Sequence, residues 1–356
     1  MIDASLRFPC GKTMKNRFML APLTNQQSNA DGSLSQDEFK WLTKRAAGGF
    51  GLVMTCAAHV QKVGQGFPGQ LGIFDDELAE GHIRLTKAIK HHGSLAVIQL
   101  HHAGMRSPEA LIGEQPVCAS ANEKMRARGL ETSEVIVLKN DFINAAVRAK
   151  KWGYDGIEVH GAHGYILTQF LSAEINHRTD QYGGSLSNRA RLLFEIIEGI
   201  RVACGADFIL GIRLSPERFG MDIQEAKTIC NQLIYEAKID FLDLSLWDIN
   251  KLPEDERYQN KNVLEHVLSI DRKNIPLTVA GNIRTGQDVN NVIAKGVDFV
   301  TIGRAAILHH DFPKKVMENP HFKPIETPVS QEYLQQEGLG KAFVNYMKKW
   351  PDFVAE

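Results

Sequence analysis

Six consecutive residues, His160-Gly161-Ala162-His163-Gly164-Tyr165, put two imidazoles and a phenol together at the end of a short apolar run. Residue types of this kind support three chemistries. The histidines could be two ligands of a metal, with His101 or His102 as a third, although no carboxylates of the kind barrel hydrolases use stand nearby. They could be core histidines satisfied by backbone. Or they could present two N–H donors to a substrate oxygen and stabilise negative charge developing there, with the phenol as a proton source.

A second group of residues suits an anion. Gly281-Asn282 and Gly303-Arg304 each close an apolar run just before a helical pattern. Glycine lets backbone N–H groups approach a phosphate, a helix start favours its charge, and Arg304 adds a cation. The plainer alternative is a pair of tight turns. Arg213, at the end of another apolar run, needs an anionic partner because a lone buried guanidinium is costly. That partner is a ligand or a neighbouring carboxylate such as Glu158. Gln99 could read the edge of a flat heterocycle or tie loops together.

These residues need a scaffold, and the chain supplies a repeating one. Short apolar strands are expected at Phe18–Ala21, Gly51–Thr55, Leu95–Leu100, Gly156–Val159, Phe208–Leu214, Phe241–Leu246, Leu277–Ala280 and Phe299–Ile302. Helices are expected from Ser35 to Ala47, from Asp75 or Asp76 to His92, from Asn140 or Asp141 to Trp152, and over 187–204, 223–238, 262–270, 286–295 and 305–318. Ser35-x-x-Glu38 has the capping-box pattern. Val135–Leu138 reads as an extra strand inside an irregular excursion, His101 to Lys139. The runs are continuously apolar, as in a parallel sheet covered on both faces. Eight βα units predict an α/β fold, a (β/α)8 TIM barrel. A short N-terminal hairpin around Pro9-Cys10-Gly11 precedes it and a C-terminal helical extension, Glu332 to Lys349, follows. The expected organisation is one domain, 1–356, with a barrel core of about 16–319. No G-x-G-x-x-G follows the first strand, which argues against an open dinucleotide-binding sheet. In a barrel the strand ends named above lie at one mouth, so the two groups of residues share a site.

The totals fit a small-molecule enzyme. Forty-one basic residues against 42 acidic ones give a net charge of -1, with no reason to expect nucleic acid or a membrane as partner. Five cysteines, widely spaced and without C-x-x-C, argue against disulfides, an iron–sulfur cluster or structural zinc. The N-terminal residues lack the apolar stretch of a signal peptide, and a cytoplasmic setting is the default. Trp350 and Phe353 are expected to be exposed, with the tail packed on the barrel or on a second subunit of a homo-oligomer.

Several strings together are similar to the old yellow enzyme family of flavin oxidoreductases. They are His160 to Tyr165, Asn176-His177-Arg178-Thr179-Asp180-Gln181-Tyr182-Gly183-Gly184-Ser185, Asn16 to Thr24, Gln99-Leu100-His101-His102-Ala103-Gly104, and Gly303-Arg304. The resemblance spans about residues 5 to 320 in the family's order. It implies a barrel that binds FMN non-covalently, takes hydride from NADH or NADPH, and passes it to an activated C=C bond of a small molecule. It implies cofactor contacts from Ala21, Pro22, Leu23, Thr24, Ala57, Gln99, His160 and Arg213 around the ring. Gly281, Asn282, Gly303 and Arg304 would hold the phosphate. His160 and His163 would grip the substrate carbonyl, Tyr165 would give the proton, and no metal is required. One branch of the family has a cysteine and a tyrosine where this chain has Thr24 and Gln26, so cysteine-based redox tuning is not expected. The 247–260 loop has no counterpart in the resemblance and is expected to shape the substrate mouth. Two other classes remain: a phosphate-binding barrel lyase or isomerase, and a flavin-binding protein without alkene turnover.

Overall fold

A computed structural model describes residues 1–236 and 238–355. Eight parallel strands close into a barrel: β1 (Phe18–Leu20), β2 (Leu52–His59), β3 (Leu95–His101), β4 (Gly156–Gly161), β5 (Ile209–Leu214), β6 (Phe241–Ser245), β7 (Leu277–Ala280) and β8 (Phe299–Ile302). Closure is made where Val300, Thr301 and Ile302 pair with Phe18, Met19 and Leu20. The ring outside consists of α1 (Gln36–Ala47), α2 (Ala79–His91), α3 (Thr132–Lys151), α4 (Leu186–Cys204), α5 (Ile223–Glu236), α6 (Val263–Leu268), α7 (Gly286–Ala294) and α8 (Phe312–Glu318). Among the described residues no helix is long and apolar enough to cross a membrane.

Side chains alternate across each strand, so every second residue points into the barrel. The lower interior is apolar: Met19, Leu52, Met54, Val97, Ile209, Phe241 and Phe299 form one buried cluster. The N-terminal hairpin (Leu6–Arg7 against Thr13–Met14) plugs this end, and Leu6, Phe8 and Met14 join the cluster. Two residues higher on the same strands stand Gln99, Glu158, Gly211, Asp243 and Thr301, and two higher again His101, His160, Arg213, Ser245 and Gly303. Thus the interior turns from apolar to polar along the barrel axis. In β2 the register slips between Met54 and Ala57, a bulge that re-aims the strand's upper end.

Some expected elements differ. Val135–Leu138 is not a strand: it belongs to α3, which starts eight residues before the expected Asn140. Glu131 and Glu134 form a capping box there, and Val135, Leu138, Phe142, Ala145 and Ala149 are buried along one helical face. Helical spacing overrides the β-branched composition because the packed stripe decides. At α1 only half of the expected box forms. Ser35 accepts from the Glu38 N–H, while the Glu38 carboxylate turns into the core to Asn25 and Ser28. The expected 305–318 helix is two pieces, Arg304–Leu308 and α8, whose first turn holds Pro313.

The tail is also two helices, Gln331–Gln336 and Lys341–Met347, separated at Gly338, whose φ of 91° favours glycine. It lies on its own barrel. Phe343 meets Trp41 edge to face at 4.9 Å, and Arg45 donates to the Glu337 carbonyl at 2.6 Å. Phe353 is buried, contrary to the expectation, and Trp350 stays partly exposed.

Candidate active site

A cavity of about 380 Å³ opens at the C-terminal ends of the strands. Ala21, Pro22, Leu23 and Thr24 from the end of β1 form one wall. His163, Tyr165 and Arg213 stand at one end, and Gly281, Asn282, Gly303 and Arg304 at the other. The volume suits a small cofactor or ligand.

The second end is built for an anion. Arg284 Nε donates to Asn282 Oδ1 at 2.7 Å, and Arg304 donates to the same oxygen. Neither arginine forms an ion pair with a carboxylate among the described residues. Two guanidiniums sharing one neutral acceptor in a cavity leave donors and positive charge directed at whatever binds there. Burial and the charge of Arg284 both push the Arg304 pKa down, which an anion would relieve. Asn282 holds a φ of 59°, a conformation asparagine tolerates better than most residues, and its amide is fixed by Asp248 at 2.9 Å.

At the first end the turn after β4 aims the side chains. His163 has a φ of 63° and Gly164 of 73°, and a Cβ on Gly164 would stand 2.8 Å from the Phe219 ring. His163 Nδ1 lies 3.3 Å from His160 Nε2, and His163 Nε2 lies 2.8 Å from Ser245 Oγ. Burial first, and the cations Arg213 and Arg106 after it, push His163 down to about 3. Burial and neighbouring positive charge hold His160 well below its ordinary value too. Both rings are therefore neutral at physiological pH. Tyr165 packs edge-on against His101 at 4.3 Å with the Arg106 guanidinium 4.7 Å over its ring. Burial raises its pKa, so the phenol keeps its proton.

Ala57, Gln99 and His160 stand behind this wall rather than on it. Gln99 is buried and donates to Glu158 Oε1 at 2.7 Å. Arg213 faces the cavity, but its Nε lies 3.3 Å from Asp243 Oδ2, an ion pair without hydrogen-bond alignment. The carboxylate against Arg213 is thus Asp243, from the next strand, where the sequence suggested Glu158. Among the described residues no group of three or more His, Cys, Asp or Glu could hold a metal. Cys56 is a core thiol beside Glu38, raised well above its ordinary pKa by burial and that carboxylate.

The sequence and the fold recur in known proteins. The family model of the NADH:flavin oxidoreductase / NADH oxidase family matches residues 9–321. The chain belongs to this family. Among its relatives is the probable NADH-dependent flavin oxidoreductase YqiG of Bacillus subtilis (strain 168), 33% identical over 353 residues, 95% of this chain and 94% of that one. The NADH oxidase of Thermoanaerobacter brockii is 34% identical over 86% of this chain, which spans only 49% of that protein. Of solved structures, the old yellow enzyme homologue from Zymomonas mobilis superposes with a TM-score of 0.80 at 26% identity, covering 97% of this chain and 99% of its own. Morphinone reductase in complex with tetrahydroNAD superposes at 0.78 with 27% identity, covering 94% and 93%.

FMN and NAD(P)H are the cofactors of this oxidoreductase, and the arginine pair suits the anionic end of FMN. Gly281, Asn282, Gly303, Arg304 and Arg284 would hold the phosphate, with Pro22, Thr24 and Arg213 along the ring. Several cavity residues escaped the sequence reading. Arg284 lies two residues beyond Asn282 in the same loop, a signal within reach. Arg106 lies two residues beyond Gly104, where an unpaired cation so near the histidines was the available hint. Tyr346, Met347 and Trp350 come from the tail and close the mouth. Nothing local in the sequence ties them to the barrel.

Proposed function

We propose that this flavin oxidoreductase reduces C=C bonds conjugated to a carbonyl or nitro group. The observation that carries the reading is His163 and Tyr165 together on the cavity wall, with His160 Nε2 just behind, 3.3 Å from His163 Nδ1. When bound, FMN supplies a carrier that accepts hydride from NAD(P)H and delivers it to the alkene carbon remote from the activating group.

The chain's own residues handle the charge and the proton. Hydride addition puts negative charge on the substrate oxygen, and two neutral N–H donors stabilise it without the cost of burying imidazolium. The hydrogen-bond pattern supports one tautomer of His163. Arg213 reaches toward Ser245 Oγ at 3.5 Å, which directs the serine hydroxyl proton to His163 Nε2 and leaves the ring proton on Nδ1, facing the substrate oxygen. His160 Nδ1 is buried without a partner, which favours the His160 proton on Nε2. The two N–H groups, 3.3 Å apart, then need one shared acceptor, the part a substrate oxygen would play. Tyr165 then donates its proton to the carbon next to the activating group. Arg106, stacked on the phenol and donating to the His163 carbonyl, fixes the positions of both.

The test is anaerobic. NADH should bleach the flavin of the loaded protein, and 2-cyclohexenone should restore the colour. Restoration by oxygen alone would leave an NADH oxidase without alkene chemistry.

A further inference from the structure

The mechanism leaves two buried carboxyl groups unused. Glu158 on β4 and Asp243 on β6 are both 0% exposed at the centre of the barrel. The strand between them, β5, offers no side chain at Gly211, the register partner of Glu158. The space in front of Gly211 is filled by the Phe241 ring, and the two carboxyl groups are each other's side-chain neighbours in the layer above that ring. Glu158 Oε2 and both Asp243 oxygens find no other hydrogen-bond donor among the described residues. Ionised carboxylates only accept hydrogen bonds, so two of them cannot satisfy one another unless one carries a proton.

We propose that Glu158 and Asp243 share a single proton and that this pair, acting through Gln99 and Arg213, holds down the reduction potential of the bound flavin. The proposal rests on the flavin site described above. Arg213, on the cavity wall, lies against Asp243, and Gln99, behind that wall, donates to Glu158. The groups acting on the pair are Arg213 from β5 and Gln99 from β3; Arg213 is the one charge of opposite sign. Burial pushes both carboxyl groups above their ordinary pKa, the charge of Asp243 opposes ionisation of Glu158, and Arg213 together with a hydrogen bond from Glu158 favours ionised Asp243. One proton between two acids then leaves a net charge of minus one, cancelling Arg213.

That cancellation has a direction. A hydride brings one negative charge to the ring. An uncompensated Arg213 would favour that charge, and an ionised partner behind it weakens the effect. The pair keeps its own proton throughout. Glu158 and Asp243 are therefore positioning residues that touch neither substrate nor ring.

Glu158→Gln and Asp243→Asn test this as near-isosteres. Each single variant keeps one ionised acid, so its midpoint potential with FMN loaded, measured by anaerobic spectroelectrochemistry, should stay near that of wild type. The double variant Glu158→Gln/Asp243→Asn removes the charge behind Arg213, and its potential should move positive. The expected shift is tenfold or more in the ratio of reduced to oxidised flavin, ~30 mV for a two-electron couple. An unchanged or more negative potential in the double variant overturns the proposal. Infrared difference spectra of the FMN-free protein provide an independent reading. Wild type should show a protonated carboxyl C=O band at neutral pH, and each single variant should lose it, because the remaining acid no longer needs the proton. Absence of that band from wild type also overturns the proposal, even if a variant fails to fold. A wild-type protein that takes up no FMN would count against the flavin site itself, and the infrared band would still decide whether the proton is shared.

Discussion

At the lower end of the barrel Phe8 meets Phe241 at 5.8 Å and Phe299 at 5.9 Å, in a cluster that contains no polar side chain. Two residues up the same strands, Asp243 and Thr301 occupy the equivalent inward positions, and two further up stand Ser245 and Gly303. The lower layer is held by burial and close packing, and its residues are interchangeable only at a cost in volume. The upper layers are held by directed bonds between groups whose charge states are forced by burial. Stability and chemistry are thus segregated along the axis, and each strand contributes to both through alternate residues. Gly211 marks the boundary: a Cβ there would lie 2.1 Å from the Phe241 ring. The lower aromatic layer therefore requires a glycine in the layer that holds the carboxyl pair.

The largest effect should come from the lower end. Phe241→Ala removes a fully buried ring and is expected to cost about 3–5 kcal/mol in denaturant unfolding. In the protein that remains folded, the flavin potential should stay as in wild type. A potential shift comparable to that of the Glu158→Gln/Asp243→Asn double variant would break the segregation.

A smaller effect should appear in the upper layers on acidification. Burial lowers His59 to about 4 and His102 to about 3 from 6.5. Below pH 6.5 the unfolded chain takes up protons that these folded rings refuse, so stability falls as pH falls toward those values. The slope is about 1.4 kcal/mol per pH unit for each histidine. Unfolding free energies at pH 7 and 5 should show His59→Gln less sensitive to acid than wild type. Equal sensitivity would mean that His59 titrates normally.

Sequence and structure agree best where one feature suffices. The eight strands were legible because each is a short apolar run with a turn at its end. Gly281-Asn282 and Gly303-Arg304 were legible because they sit at those ends. What was not legible depends on two segments meeting. Arg213 needed a carboxylate, but only the strand register shows that Asp243 supplies it while Glu158 holds Gln99. The tail's Tyr346 and Trp350 reach the mouth through contacts of Phe343 and Glu337 with α1, which no local pattern announces. Val135–Leu138 was misread because composition is a weaker guide than the stripe it packs along.

The central claim is that the His160–His163–Tyr165 end of the cavity manages charge and proton while hydride comes from elsewhere. Tyr165→Phe keeps the ring and removes the proton, and single-turnover stopped-flow on the pre-reduced FMN protein measures the consequence. With 2-cyclohexenone, flavin reoxidation should slow by about 10²–10⁴-fold. With a nitroalkene, whose anion is stable without immediate protonation, it should stay near the wild-type rate, and reduction by NADH should be unaffected. Equal slowing with both acceptors would point to a binding defect, and no slowing with either would contradict the assignment of the proton to Tyr165.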